Sequence, residues 1–446
     1  MKKTLLSASA FALVAVSSMA LAPTKAEAIP AFARQTGAAC LSCHFQQFPA
    51  LNAYGRMFKE GSFTDVGDEA LVEGENLSIP AVLNATFVVR AQAAHTTSGT
   101  GATATKQTTY TIPADQNLLI AGRAGSNTGV FIEFGGGTNA DTLGGGINNI
   151  QVMNSFDLGG FKAGVSYSDT SFGADAIMAV NSVYGQHSGV MNNFGDISAV
   201  NNSGFTNSNA TIGAWLGNDM GFIEVGLVAP GGAAGWVAGT PVSAVQGTTN
   251  MGLKMAKMIK VAGTFDLGGF DTIVGVGTIA GSVGKQAAAN AATPSPKMDM
   301  QWVYGQMQGD LGDMSLGVYA DWAHAKGKNG GNLLGAQDIQ NTTIATATNF
   351  TGYNVLTAGD KFDAYSLRAT LAPTRRTLVG LGYGYRKTSS ATVANSAKHQ
   401  IFDVGASYMI YQNNILSLTY INDKQTLGAG TATTIKTTSL DYLIML

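Results

Sequence analysis

The chain has 446 residues, with 26 Lys and Arg against 28 Asp and Glu, and this near-neutral balance argues against nucleic acid as a partner. Charged residues make up only 12% of the chain and glycine reaches 57 residues, which sets it apart from ordinary soluble domains. Hydrophobic residues make up 45%, so it is not a disordered chain, yet beyond residue 28 no apolar run of about 18 residues exists to cross a bilayer as a helix. Low charge, much glycine, 20 Phe and 14 Tyr together predict an all-β fold, a transmembrane antiparallel β-barrel of the outer-membrane type.

Residues 1–28 read as a secretory signal. Lys2 and Lys3 form its basic start, residues 5–16 its apolar core, and Ala26-Glu27-Ala28 its cleavage site, leaving Ile29 as the mature N-terminus. That segment holds three Lys and one Glu, so the remaining chain carries 23 basic and 27 acidic residues. The protein is expected to leave the cytoplasm of a bacterium.

Only two cysteines exist, both in Cys40-Leu41-Ser42-Cys43-His44. A disulfide and a thioredoxin-type redox pair are the alternatives for two thiols so spaced in an exported chain. The adjacent His favours a third: two thiols to add across the vinyl groups of one porphyrin, and an imidazole to bind its iron. Zinc needs four ligands and finds three here. One covalently bound haem c is therefore expected, with Cys40 and Cys43 as thioethers and His44 as the iron ligand and redox centre.

Downstream, Pro49 is placed to begin a helix and Gly61 to close it. Leu51, Tyr54 and Phe58 would make an apolar stripe for the porphyrin, with Met57 beside it. Met57 is the local candidate for the sixth iron ligand; plain packing in the pocket is the alternative. Arg56 and Lys59 fall toward the polar side as candidate partners for haem propionates.

The run Pro30-Ala31-Phe32-Ala33-Arg34-Gln35-Thr36-Gly37, then the haem motif, then Pro49-Ala50-Leu51-Asn52 and Gly55-Arg56-Met57-Phe58-Lys59, closely resembles one family. It is the fused monohaem cytochrome–porin of the outer membrane in iron-oxidising bacteria. The match covers about 35 residues, 29–63, and the rest agrees by pattern and length. The resemblance implies an extracellular Fe(II) oxidase whose N-terminal cytochrome sits in or under a porin barrel and passes electrons to a periplasmic c-type cytochrome or copper carrier. The expected organisation is a signal peptide (1–28), a cytochrome segment (29–78) and a barrel (79–446).

Barrel strands should alternate apolar with small or polar residues over about ten positions. Phe161, Ala163, Val165 and Tyr167 oppose Lys162, Gly164, Ser166 and Ser168. Leu316, Val318, Ala320 and Trp322 oppose Ser315, Gly317, Tyr319 and Asp321. The same pattern places Tyr365, Leu367 and Ala369 against Ser366, Arg368 and Thr370, and Phe402, Val404 and Ala406 against Asp403, Gly405 and Ser407. A soluble sandwich alternates too; the signal peptide, glycine load and aromatic faces favour lipid outside. Hairpin-type residues at 126–129, 157–160, 217–220, 266–269, 310–313, 372–375 and 411–414 give seven short turns. Longer loops are expected at 93–113, 171–208, 230–257, 281–298 and 325–362. With both termini periplasmic and long loops outside, seven short turns mean about sixteen strands. Leu446 departs from the aromatic ending common in such barrels.

Such a barrel keeps a lumen that a segment of about 50 residues could plug, bringing the haem iron toward the surface. Arg90, Glu133, Lys162, Glu224, Asp321, Arg368 and Asp403 face this lumen as pore lining or as contacts for the plug. Three function classes follow: an electron acceptor for extracellular Fe(II), a general electron conduit for other donors, and a diffusion porin with a structural cytochrome plug. Apart from His44, the histidines fall on the loop side: His95, His187, His324 and His399. Of these, His187, His324 and His399 are candidates for a weak Fe(II) landing site, with solvated loop residues as the plainer reading.

Overall fold

The computed structural model describes residues 31–75, 77–99, 104–136, 147–169, 190, 197–202, 209–230, 255–283, 297–335, 353–390, 396–430 and 432–446. The signal segment and His187 lie outside the described residues.

Sixteen antiparallel strands close into one barrel. They are β3 (Ala85–Ser98), β4 (Thr105–Arg123), β5 (Thr128–Gly136), β6 (Ile147–Leu158), β7 (Phe161–Asp169), β8 (Asn209–Asn218), β9 (Gly221–Pro230), β10 (Ala256–Asp266), β11 (Phe270–Ser282), β12 (Lys297–Leu311), β13 (Met314–Lys326), β16 (Lys361–Thr374), β17 (Thr377–Ser389), β18 (Ala397–Tyr411), β19 (Asn414–Leu427) and β20 (Thr433–Met445). The small hairpin β1 (Leu71–Gly74) and β2 (Leu77–Pro80) precedes the wall, and β14 (Asn332–Gly335) with β15 (Tyr353–Leu356) is inserted between β13 and β16. All seven short turns fall where their residues predict, at one end of the barrel. The loop expected at 93–113 is shorter than read, because β3 and β4 run on to Ser98 and from Thr105. Their extension is polar, rich in Thr, and pairs in register beyond the apolar band.

The barrel closes between β20 and β3, in register from Ile435↔Ser98 to Met445↔Val88. Phe87 and Leu446 exchange both backbone hydrogen bonds, at 2.9 and 2.8 Å. The seam is thus paired to the last residue without a terminal aromatic side chain.

Alternation sets the two faces. On β18, Phe402, Val404 and Tyr408 are exposed outward, while Asp403, Gly405 and Ser407 are buried inward. Exposed Val225, Leu227, Val274, Val276, Leu367, Leu381 and Leu418 continue the outer band around the wall. A closed wall with every ladder paired and an apolar exterior is what a lipid-spanning barrel requires. No helix among the described residues is long and apolar enough to cross a membrane.

Inside, one stretch of the connection between β7 and β8 does not stand out as an external loop. Val190, Ile197 and helix α4 (Ala199–Asn202) fold back against the wall. Gly382 and Gly384 of β17 make the room: a Cβ at Gly384 would lie 2.6 Å from the Ile197 carbonyl oxygen. The carboxylate of Asp321 fixes this stretch. It accepts from the Ala199 N–H (3.0 Å), the Val200 N–H (3.4 Å) and the Ser198 and Ser366 hydroxyls, and pairs with Arg368 at 3.3 Å.

Candidate functional site

The N-terminal segment sits as a plug inside the short-turn mouth. Around its circumference it meets the inward face of eight wall strands, always near their short-turn ends. The Ala31 N–H donates to Thr86 Oγ1 (2.7 Å) and the Arg34 guanidinium to the Ala85 carbonyl (2.6 Å) on β3. Gln35 Oε1 accepts from the Arg123 N–H of β4 (2.8 Å), and Phe32 meets Phe131 of β5 at 6.1 Å between ring centres. Gly217 of β8 lies against the Glu60 carboxyl. Arg56 pairs with Asp271 of β11, Gln46 donates to the Ser315 carbonyl of β13 (2.6 Å) and more weakly to the Thr370 carbonyl of β16 (3.5 Å), and Ser407 of β18 donates to Gln47 (2.6 Å). The Cys40–His44 segment therefore lies inside the short-turn half of the barrel.

Three short helices build the plug: α1 (Ala31–Thr36), α2 (Cys40–Cys43) and α3 (Ala53–Glu60). The Cys40-to-Cys43 turn closes with the His44 N–H on the Cys40 carbonyl, at 2.9 Å. The chain then doubles back, so that His44 and Leu51 pair as an antiparallel bridge. Pro49 consequently lies in this return turn and does not begin the helix. Asn52 begins it instead: its side chain accepts from the Gly55 N–H (2.9 Å) as an N-cap. The same residue ties the helix to the haem motif, since its backbone N–H donates to the Cys43 carbonyl (3.0 Å) and its amide to the Ser42 carbonyl (2.9 Å). Gly55 completes the junction; a Cβ there would overlap the Cys43 carbonyl oxygen. Gly61 closes α3 as expected, donating to the Met57 carbonyl at 2.9 Å.

The predicted apolar stripe divides. Phe58 turns into the plug's own core, 5.2 Å edge-on from Phe32 and 5.8 Å from Phe63. Tyr54 and Met57 are left about half exposed, at 47% and 55%. Arg56 is not on a free polar side: it is buried, engaged by Asp271 and by the Leu51 carbonyl, so its charge is answered by the wall rather than held open for a propionate. Lys59 is buried as well. Both lie on the inward side of α3 because the helix packs within a ring of wall, which the helix alone could not signal.

Electrostatics at the motif follow from burial. Cys40 and Cys43 are partly exposed, free of a disulfide, and burial pushes both thiols above their usual range, with Cys43 adding to the shift on Cys40. Burial pushes His44 down to about 4, against the opposing pull of the Pro49 and Ala50 backbone, so the imidazole is neutral. Its Nδ1 is buried and has no hydrogen-bond partner. Two accessible thiols, a neutral imidazole with an unanswered nitrogen, and uncovered Tyr54 and Met57 fit a covalently bound haem. Glu60 stands at the far end of α3, pushed up to about 7 by burial, with Lys162 opposing and Asp219 adding to the shift.

The lumen-facing charges lie inward as read. Glu133, Glu224, Asp321, Arg368 and Asp403 are buried, and Arg90 pairs with Asp441 at 3.4 Å. Glu224 pairs with Lys260 at 3.5 Å, while Lys162 pairs with Asp157 beside the turn. The histidines do not converge. His399 points inward, bonded to Asp423 and 3.3 Å from an Arg386 nitrogen. His324 points outward, bonded to Asp363 at 2.7 Å and stacked on Trp322. His95 also faces outward, within β3 and not beyond it, its Nδ1 2.9 Å from the Thr108 hydroxyl. Strand alternation puts His324 and His399 on opposite sides of the wall, so a joint landing site is ruled out for these two. Among the described residues, no three His, Cys, Asp or Glu side chains cluster as a metal site.

No family model matches the chain, and no curated protein matches it. Similar solved structures include the outer membrane channel DcaP of Acinetobacter baumannii, at 15% identity over 82% of this chain and 97% of that one, TM-score 0.48. The outer-membrane-expressed OmpT of Vibrio cholerae matches at 11% identity over 84% and 100%, TM-score 0.43. An anion-selective porin from Comamonas acidovorans matches at 12% identity over 81% and 99%, TM-score 0.41.

Proposed function

We propose that this chain is an outer-membrane cytochrome–porin that takes electrons from extracellular Fe(II) and passes them to a periplasmic carrier, a c-type cytochrome or a copper protein. The observation that carries this reading is a C-x-x-C-H segment, with free thiols and a neutral His44, wedged into one mouth of a lipid-spanning barrel. In this reading the short turns and both termini face the periplasm and the long loops face outside, as bacterial barrels arrange them.

Cys40 and Cys43 hold one haem c covalently and His44 binds its iron; bound there, the group supplies a one-electron Fe(III)/Fe(II) couple. The residues of the chain set its surroundings. Asn52 and Gly55 lock the motif turn against α3, so that the two sulfurs and the imidazole keep their mutual placement. Met57 is the candidate sixth ligand, because it contributes little to the plug's own core and projects from the helix held on Cys43. Electron transfer from Fe(II) requires no general acid or base. In this reading the plug-to-wall contacts hold the site at the periplasmic mouth, within reach of a soluble carrier, and the ion approaches through the lumen.

The test is absorbance spectroscopy of the purified holoprotein mixed with Fe(II). Reduction by Fe(II) and by no other donor of a panel supports an iron oxidase; reduction by many donors indicates a general conduit. A haem that Fe(II) does not reduce indicates a diffusion porin with a structural plug. Met57→Ala, read in the same spectra, should remove a thioether charge-transfer band if Met57 is the sixth ligand; an unchanged spectrum makes it ordinary packing.

A further inference from the structure

Six consecutive wall strands, β13, β16, β17, β18, β19 and β20, sort their charges by sign. Each carries one lysine near its long-loop end: Lys326, Lys361, Lys387, Lys398, Lys424 and Lys436. All six are exposed on the outer face, and none forms an ion pair among the described residues. The two arginines of these strands, Arg368 and Arg386, point inward and are buried. So do four of the five carboxylates, Asp321, Asp403, Asp423 and Asp441; the fifth, Asp363, faces outward and is engaged by His324. The outer face here is therefore basic, six lysines against the single carboxylate of Asp363, which lies opposite both His324 and Lys387.

Register tightens the row. Lys326 lies directly opposite Lys361, and Lys387 directly opposite Lys398. Like charges so paired are destabilising unless an anion lies between them. Nearer the barrel's middle on the same face stand Tyr385, one outward step from Lys387, and Trp322 and Tyr365, two outward steps from Lys326 and Lys361; Tyr365 and Tyr385 stack at 5.0 Å and the Lys398 ammonium lies 5.5 Å from the Tyr385 ring. An aromatic girdle of this kind marks the membrane interface, so side chains just beyond it stand at headgroup level. Lys257 on β10, also outward, lies opposite Ala280 and Leu227 and has no lysine across from it.

We infer that this face of the wall is a binding site for a phosphorylated glycolipid of the outer leaflet, its phosphates held by the lysine row and its acyl chains lying on the aromatic and apolar band below. Ammonium groups bind phosphate as point charges, and a row of them grips a diphosphorylated headgroup at two places. The inference takes from the function proposed above only the orientation, long loops outward; it needs neither haem nor iron.

The test is native mass spectrometry of the detergent-solubilised full protein titrated with diphosphorylated lipid A or with its dephosphorylated counterpart. The expected result is a preference of at least about tenfold for the diphosphorylated form. Replacing Lys326, Lys361, Lys387 and Lys398 together with Gln should abolish that preference, while replacement of the same four with Arg, or Lys257→Gln alone, should keep it. Heat-modifiable gel migration verifies the barrel in each variant, and the paired change Lys326→Gln with Lys361→Gln, expected to lower the preference, serves where the fourfold change does not fold. No preference in the parent protein, an equal loss with Lys257→Gln, or full displacement of the lipid by inorganic phosphate would overturn the proposal. Failure here leaves Fe(II) oxidation untouched, and a haem that Fe(II) does not reduce leaves the lipid site standing.

Discussion

The two ends of the barrel are built from the same alternating strands and come to opposite solutions. At the short-turn end, inward side chains and backbone of eight strands find their partners on a separate stretch of chain, the plug. At the long-loop end, inward carboxylates find partners on the wall itself, such as His399 for Asp423, while the six outward lysines of β13 and β16–β20 form no ion pair among the described residues. Midway, Asp321 holds a returning loop. Alternation with period two decides only which face a residue takes. What it meets there depends on which distant segment fills the space, and the ends differ because the plug enters through one mouth alone.

The largest expected effect removes the chemistry that distinguishes the plugged end. Replacing Cys40 and Cys43 together with Ala should abolish covalent haem, read as haem staining on a denaturing gel, while the barrel still forms. Staining that survives would sink the haem assignment. Next comes the anchor. Arg56→Ala strands Asp271, whose side chain is 29% exposed, and should loosen plug docking by about 2 kcal/mol, since that carboxylate can partly recover water. Faster protease cleavage of the plug reads this out. Asp271→Ala in the same background should add little, and full additivity would show that the two residues act apart.

These effects divide along the line of what the sequence made legible. The sixteen strands and seven turns were legible because hairpin residues and alternation act within a few positions. The C-x-x-C-H motif is legible because its three side chains fall within five positions. The partner of Arg56 was not, because Asp271 lies 215 positions away and nothing local marks it. The inward seat of Val190 and Ile197, within a predicted outer loop, is hidden for the same reason: it is created by Gly405 on β18, by Gly382 and Gly384 on β17 and by the Asp321 carboxylate on β13. Asn52 is an intermediate case. An Asn directly before Ala53 is an ordinary N-cap signal, outweighed in the reading by Pro49, which the His44↔Leu51 bridge carries into a turn.

A smaller effect tests the plugged end by pH. Glu60 has its pKa raised from 4.5 to about 7 when the plug is docked. A carboxyl raised on docking favours the docked state while protonated. Its contribution is full below about pH 4.5 and is lost as pH rises through about 7. Protease resistance of the plug should therefore fall between pH 5 and 7.5 in the parent protein. Glu60→Gln, neutral throughout, should flatten that slope; an unchanged slope would place the pH dependence elsewhere.

The smallest expected effect concerns the long-loop end and sharpens the contrast between its two faces. His324 bonds Asp363 and stacks on Trp322 at 5.7 Å, on the lipid side of the wall. An ion moving through the lumen never meets it. His324→Ala should therefore leave the rate of haem reduction by Fe(II) unchanged. His399 stands on the lumen side but is held between Asp423 and Arg386, and the guanidinium beside it repels a cation. His399→Ala frees Asp423 in the lumen without removing a metal ligand, so its rate with Fe(II) should be equal to or above the parent's, with reduction by dithionite unaffected. A clear slowing specific to Fe(II) in His324→Ala would mean that the ion reaches the outer face, and the lumen would then lose its place as the approach.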